Sequence, residues 1–422
     1  MTEKIIKVNE IPTEVLLNST LEITSNDVAY FTHGFFKYPC KFIPQIPRWA
    51  LNKYTKDDSI ILDPFAGSGT TLVEAALQGK KSIGVDFDKL SQLLCKTKTK
   101  NMSQRQIKQI QEFKNEVFSM KRKKSNFLPD LHNISHWFPE ENVSDLQHLK
   151  ICIEDNYKKH NDNTVHNFLL VAFASIIRKC SFADDTSPKP YVSTRIKKIP
   201  HNVEDAFDKV ISMYIKKISP YDAKRLGKVE IISEDARNIS STRHKGKVRL
   251  AITSPPYINA FDYVRSLRLE NAWLGYYGDS NIISIKKKQI GTETVSVKEY
   301  SKKIKDVKIR ELATLISKIY KIDRKRAYVV YKFFNDMEKN IQQVNKLLEK
   351  DGHYVIVVGD STIRGIPIPT HKILIEFAKI NGFKLTNCFS YVIKNRYLRI
   401  PRGGKGGLIK KDWIIDLTKA NG

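Results

Sequence analysis

A chain of 422 residues with 72 Lys or Arg against 45 Asp or Glu carries a formal charge of +27 at pH 7. That excess selects a polyanionic partner and excludes a protein built only around a small acidic substrate. The hydrophobic content of 41% fills a core, and at about one domain per 150 residues the length allows two or three units. The five cysteines, Cys40, Cys95, Cys152, Cys180 and Cys388, are odd in number and form no Cys-x-x-Cys pair. Neither a disulfide framework nor a zinc or other metal site is therefore expected. No segment approaches the roughly 18 apolar residues of a membrane span, and the N-terminus shows no signal-peptide core. A reduced, cytoplasmic setting without membrane contact is the expectation.

Residues 1–30 read as a lead-in of mixed polarity. The informative segment follows at 59–71, SIILDPFAGSGTT. Ile60, Ile61 and Leu62 read as a buried parallel strand, Gly67 and Gly69 allow a ligand to approach the backbone closely, and Thr70 to Leu77 read as the next helix. Spacing separates the nucleotide loops that compete for this pattern. A P-loop needs Lys directly after its last glycine, where this chain has Thr70. A dinucleotide loop needs a small residue three places after the second glycine, where Leu72 stands. S-adenosylmethionine remains: it carries no phosphate and asks for a close backbone, a polar rim and an acid for its ribose. Lys81 to Val85 read as a second strand, and Asp86 at its end is placed to accept both ribose hydroxyls.

From residue 98 to 228 helical periodicity dominates. Ile107, Ile110, Phe113, Val117 and Phe118 mark one apolar face, and Phe168 to Ile177 a nearly continuous apolar helix. Within this stretch SPKPYVSTRIKKIP (187–200) is a proline-bounded basic loop, whose Tyr191, Arg195, Lys197 and Lys198 suit a phosphate backbone as well as a solvated turn. The sheet resumes at Val229 and reaches RLAITSPPY (249–257). Here Leu250 to Thr253 form a short buried strand delivering Ser254, Pro255, Pro256 and Tyr257 at its carboxyl end, where open α/β sheets bind ligands. Two prolines fix φ twice and hold their carbonyls as rigid acceptors. Ser254 Oγ and the Pro255 carbonyl can accept from an exocyclic NH₂, and Tyr257 offers a flat face for a heterocycle. A helix ending at Gly275 follows.

Residues 276–335 carry fifteen Lys or Arg against six Asp or Glu. IKKKQIG, with Lys286, Lys287 and Lys288, and YSKKIKDVKIR read as solvated helix faces, placed just after the Ser254 loop where they could also meet a polyanion. HYVIVVGDS is a buried strand, and FKLTNCFSYVIKN with DWIIDL forms an antiparallel hairpin. Its connection holds Arg399, Arg402 and Lys405 among glycines, as a flexible loop or a grip on phosphate. The divisions are 1–30, a lead-in; 31–97, the cofactor half; 98–228, a helical insertion that is a candidate for target recognition; 229–275, the catalytic loop; 276–335, a basic insertion for DNA contact; and 336–422, the closing strands.

DPFAGSGTT and TSPPY together resemble the amino-methyltransferases that modify exocyclic amines of DNA bases with S-adenosylmethionine. The resemblance implies an α/β fold, a Rossmann-like methyltransferase sheet with helices on both faces, plus helical insertions. It places Asp63, Phe65, Gly67, Gly69 and Thr70 in the cofactor motif, Asp86 at the ribose and Asp235 near the adenine ring. YPCKFIPQIP (38–47) is similar to the segment that closes over the methionine end, with Tyr38 in it and Lys41 facing the carboxylate. Ser at the head of the tetrapeptide is more typical of members acting on cytosine N4, and Asp or Asn of those acting on adenine N6. Double-stranded DNA as substrate and a cognate restriction endonuclease as partner are implied with it. The DPFxGSGTT spelling is commonest where the tetrapeptide comes earlier in the chain; here it comes later. Three rivals stay open: the same fold acting on adenine N6, an RNA methyltransferase, and a non-catalytic nucleic-acid-binding subunit.

Overall fold

The computed structural model describes residues 5–25, 27–123, 126–221, 225–240, 242–258, 261–302, 304, 306–394 and 409–420. Its strands are β1 (Ile5–Val8), β2 (Thr20–Ile23), β3 (Ile60–Asp63), β4 (Lys81–Val85), β5 (Val229–Ile232), β6 (Val248–Thr253), β7 (Leu348–Gly359), β8 (Ser361–Ile363), β9 (Ile366–Ile368), β10 (Phe383–Val392) and β11 (Lys411–Lys419). Nine of them make one sheet in the order β1-β2-β10-β11-β7-β6-β3-β4-β5, and β8 pairs with β9 alone. Within the large sheet β11 runs against both its neighbours, while the other pairings are parallel.

The sheet is buried on both faces, and its side chains divide with a period of two. Ile61, Leu250, Ile252, Val355, Val357 and Ile414 point to one side, where they meet Trp49, Ala50 and Leu51 of the helix Gln45–Tyr54. Leu62, Ala251, Ile356, Val358 and Ile415 point to the other. There they are covered by the helices Arg310–Ile322, Arg324–Leu347 and Thr370–Ile380, through residues such as Ile316, Phe333, Phe334, Met337 and Phe377. The fold is the expected α/β sheet with helices on both faces. β3 and β6 lie side by side, Leu62 opposite Ala251, although their sequences are far apart. The late position of the tetrapeptide therefore leaves the two ligand loops adjacent.

The helical insertion is a bundle with its own core. Helices Gln104–Glu116, Glu140–His160 and Val203–Ile218 surround Asn163–Ile177, whose residues from Phe168 to Ala174 are all buried. An all-round apolar helix needs such a central place. The bundle is joined to the cofactor half through Leu90, Leu93 and Leu94 of the helix Lys89–Lys98, which share its core.

Within the lead-in, β1 and β2 extend the sheet, and Thr20 and Leu21 pair with Ser390 and Tyr391 of β10. Such four-residue strands carry too short an alternation to stand out from polar neighbours. Two helix expectations are corrected. The described residues of 301–309 are not helical, and Arg310 opens the next helix. The helix expected to end at Gly275 is broken at Leu267 into Tyr263–Ser266 and Arg268–Leu274, with Gly275 in the left-handed conformation as its stop.

Candidate active site

β3 ends at Asp63 and the chain turns through Pro64 to Gly69 into the helix Thr70–Leu77. Gly67 and Gly69 take φ of +49° and +78°, which only glycine adopts without strain. A Cβ on Gly69 would also lie 3.1 Å from Cys95 Sγ. The turn borders a cavity lined from several segments, among them Tyr38, Lys41 and Phe42; Phe65, Gly67 and Thr70; Asp86, Phe87 and Asp88; Asp235; Ser254 and Pro256; and Lys288, Gln289 and Ile290.

Asp86 ties the loop to β4. Its Oδ2 accepts the Gly67 N–H and its Oδ1 the Asp88 N–H, both at 2.9 Å. Each oxygen keeps acceptor capacity for a hydroxyl. Burial, helped by the Asp88 carboxylate, pushes the Asp86 carboxyl up to about 7. Lys41 donates to the His33 carbonyl at 2.6 Å, and burial lowers its ammonium to about 8. The segment carrying it is clamped by buried Glu74, which accepts from His33 Nε2 at 2.8 Å and Arg48 Nε at 3.1 Å. Burial drives His33 down to about 4, so the ring is neutral at pH 7 and its Nε2–H donates to Glu74. Tyr38 sits over the loop, its ring 3.6 Å from where a Gly67 Cβ would be, and shares a 3.0 Å hydrogen bond with Ser91.

Asp63 and Gly69 stand beneath this wall rather than in it. Asp63 is wholly buried, and its Oδ1 accepts the Thr253 hydroxyl at 2.7 Å and the Phe65 N–H at 3.1 Å. That bridge locks the glycine loop to the end of β6. Asp235 borders the cavity with its carboxylate already engaged: Arg237 donates to it through Nε at 2.9 Å and reaches Asp336 at 3.0 Å. Burial alone would raise Asp235, but Arg237 outweighs it and holds the group below its usual range.

At the end of β6, Ser254 and Pro256 face the same cavity as Gly67 and Asp86, with Pro255 buried between them. Tyr257 turns toward β11, where its hydroxyl donates to Asp412 Oδ1 at 2.9 Å. The structure thus brings Tyr38, Lys41, Phe65, Gly67, Thr70, Asp86, Asp235, Ser254 and Pro256 around one space. Phe87 and Asp88 also line it, next to an acid that was legible. Gln289 and Ile290 come from the IKKKQIG run of the basic insertion, which the sequence marked only for its lysines.

The basic candidates separate. Arg195 and Lys197 are exposed. Lys198 is not free for phosphate: its Nζ donates to the Arg178 and Ala183 carbonyls and to Asp185, at 2.7, 3.0 and 2.9 Å, because the loop folds back over these acceptors. Lys286 pairs with Asp262 at 2.6 Å, Lys287 is exposed, and Lys288 reaches the cavity wall. Arg399, Arg402 and Lys405 lie outside the described residues.

A close glycine backbone, an acid able to accept two hydroxyls, an aromatic neighbour at Phe87 and a cation at Lys41 fit a nucleoside that bears an amino acid. The fold and this chemistry define an S-adenosylmethionine-dependent methyltransferase. Comparison with known proteins narrows the class. The DNA methylase model N6_N4_Mtase matches residues 14–96. The Type II methyltransferase M.MvaI of Kocuria varians is 25% identical, over 91% of this chain and 88% of its own. Type II methyltransferase M.BsoBI of Geobacillus stearothermophilus is 24% identical over 65% of this chain and 58% of its own. Among solved structures, a SAM-dependent methyltransferase of Methanosarcina mazei aligns over 88% of this chain and 97% of its own, at 9% identity and a TM-score of 0.34, too loosely to carry an argument. The matched segment and these relatives make the chain similar to the DNA amino-methyltransferases, and its cofactor is S-adenosylmethionine.

Proposed function

We propose that this protein is a Type II restriction-modification methyltransferase that methylates cytosine at N4 in double-stranded DNA. The observation that carries the reading is Ser254 at the head of the Pro-Pro-Tyr loop, on the rim of the cavity that Gly67 and Asp86 also border. Serine in that position resembles the cytosine-N4 members, and its relatives are Type II methyltransferases.

When bound, the cofactor supplies a methyl group already activated on a sulfonium. Asp86 holds its ribose, Lys41 its carboxylate, and Phe65 and Phe87 the ring, with Tyr38 closing over the loop. The target base must leave the duplex, at a cost of a few kcal/mol. Stacking on Tyr257, about 1 to 3 kcal/mol, offsets part of that. Ser254 Oγ and the Pro255 carbonyl would accept from the exocyclic NH₂ and turn its nitrogen lone pair out of conjugation with the base. The exposed Arg195, Lys197 and Lys287 contact phosphates. A cognate endonuclease belongs to the same reading.

Incubation with unmethylated duplex DNA and labelled S-adenosylmethionine, followed by hydrolysis to nucleosides and mass spectrometry, names the product. N4-methylcytosine is expected. N6-methyladenine would reassign the base, and DNA left unlabelled, whether or not RNA incubated in parallel takes up label, would overturn the reading.

A further inference from the structure

Three neighbouring strands set a glycine, an acid and a tyrosine in one row. Asp412 on β11 is the partner of Gly359 on β7 and of Tyr391 on β10. Directly opposed residues share a face of the sheet. The row lies at the end where β6, parallel to β7, delivers the Ser254 loop.

Asp412 is buried, and its two oxygens are shared between two phenols. Oδ1 accepts the Tyr257 hydroxyl at 2.9 Å and Oδ2 the Tyr391 hydroxyl at 3.0 Å. Gly359 makes the first of these contacts feasible. A Cβ there would stand 2.6 Å from Ile409 Cγ2, 2.9 Å from Asp412 Oδ1 and 3.1 Å from Tyr257 Cε2. The missing side chain is the space through which the Tyr257 ring reaches the acid.

The tetrapeptide cannot orient this ring by itself. Its prolines fix backbone angles, whereas χ1 and χ2 of Tyr257 are set by what the ring meets. Ser254 and Pro256 face the cofactor cavity, but Tyr257 turns away toward β11. We propose that Asp412 is a positioning residue: it tethers the Tyr257 hydroxyl so that the ring presents one fixed face to the extruded base. Tyr391 steadies the carboxylate from the other side, and Gly359 keeps the path open. This rests on the reading of Tyr257 as the stacking face.

The test is a double-mutant cycle on methyl transfer. Label transfer from S-adenosylmethionine to unmethylated genomic duplex DNA would be followed for Asp412→Asn, Tyr257→Phe, their combination and Tyr391→Phe, with cofactor affinity by calorimetry and melting temperature alongside. Each of the first two should lower kcat about 10- to 100-fold, the range expected for a misplaced reacting group, with cofactor affinity unchanged. The combination should be no slower than the slower single variant, because both remove one tether. Tyr391→Phe should have the smaller effect. Effects that multiply in the combination would overturn the proposal, as would an Asp412→Asn protein working at the parental rate. Should Asp412→Asn fail to fold, Tyr257→Phe decides, and parental transfer by it would overturn the tether. Tyr257→Ala separates the two readings: parental transfer by that variant removes the stacking role itself, whereas slow transfer beside an unimpaired Asp412→Asn removes only the tether.

Discussion

The two sides of the cavity are made in opposite ways. The cofactor side is contiguous: from Ile60 to Asp88 one stretch supplies strand, glycine turn, helix, second strand and acid, closed by the Asp86 to Gly67 hydrogen bond. The side we assign to the base is assembled at a distance: Ser254 and Pro256 reach the cavity, while Tyr257 behind them is held beside Gly359, Tyr391 and Asp412, which only the register of β7, β10 and β11 brings together. Cofactor binding should therefore answer to local changes, and transfer to changes made anywhere along the closing strands.

The sharpest way to break that contrast is at the catalytic loop. Tyr257→Ala and Ser254→Ala should each slow methyl transfer to DNA by at least about 100-fold, since misplacing the reacting nitrogen even slightly has that scale of effect. Calorimetry should find S-adenosylmethionine bound as tightly as before. A parallel fall in cofactor affinity would show that the two sides are not separable.

On the cofactor side the largest effect should come from Asp86. Asp86→Ala should weaken cofactor binding by about 1.5 to 3 kcal/mol, the value of hydrogen bonds to a charged group, with DNA affinity nearly intact. The pH dependence follows from two shifted groups. Ribose hydroxyls donate to the ionised carboxylate, and the Asp86 pKa lies near 7. Affinity should thus rise with pH up to about 7 as this proton leaves. Lys41, lowered to about 8, pairs with a carboxylate only when protonated, so affinity should fall again above that value. Titration calorimetry across this range should trace the bell; Asp86→Asn should flatten its acid limb and Lys41→Met its alkaline one. A profile unchanged in either variant removes that residue from the site.

What the sequence made legible follows the same division. Strand β4 and the helix Thr70–Leu77 have the ends expected, because apolar runs, glycines and a strand-end acid act over a few residues. Asp412 sits in DWIIDL as an acid at a strand start, and no local pattern separates it from a solvated one; its meaning lies in β7 and β10. Asp235 carries the same lesson, since its ion pair with Arg237 is two residues away, yet the Asp336 that anchors Arg237 comes from a distant helix. Charge density misled in detail for a related reason. Lys197 and Lys198 are adjacent in a basic run, but only the fold decides which one finds acceptors.

That pair gives a smaller test, in which the distinction is between a lysine that holds the fold and one that faces solvent. Lys198→Met leaves two carbonyls and Asp185 without their donor and should lower stability by about 1 to 3 kcal/mol. Lys197→Met should leave the melting temperature unchanged and weaken DNA binding slightly. Equal melting curves for the two would mean that Lys198 is not an anchor.

The smallest effect per residue belongs to the exposed cations of the basic insertion. Lys287, Lys298, Lys302 and Arg310 face solvent, whereas Lys286 and Lys308 are already paired with Asp262 and Glu338. Reversing the four exposed charges should weaken binding to every duplex sequence alike and flatten the plot of log K against log salt by about 0.9 for each phosphate that is no longer neutralised. Reversing Arg195 and Lys197 on the helical insertion should flatten it by up to about twice that single increment. The two slopes, measured by fluorescence anisotropy over a salt series, apportion the DNA between the insertions. A slope untouched by the first set would turn that face to solvent and leave phosphate binding to the loop at 187–200, beside which Arg178 ties the Ser187 carbonyl to the helix that follows the catalytic loop.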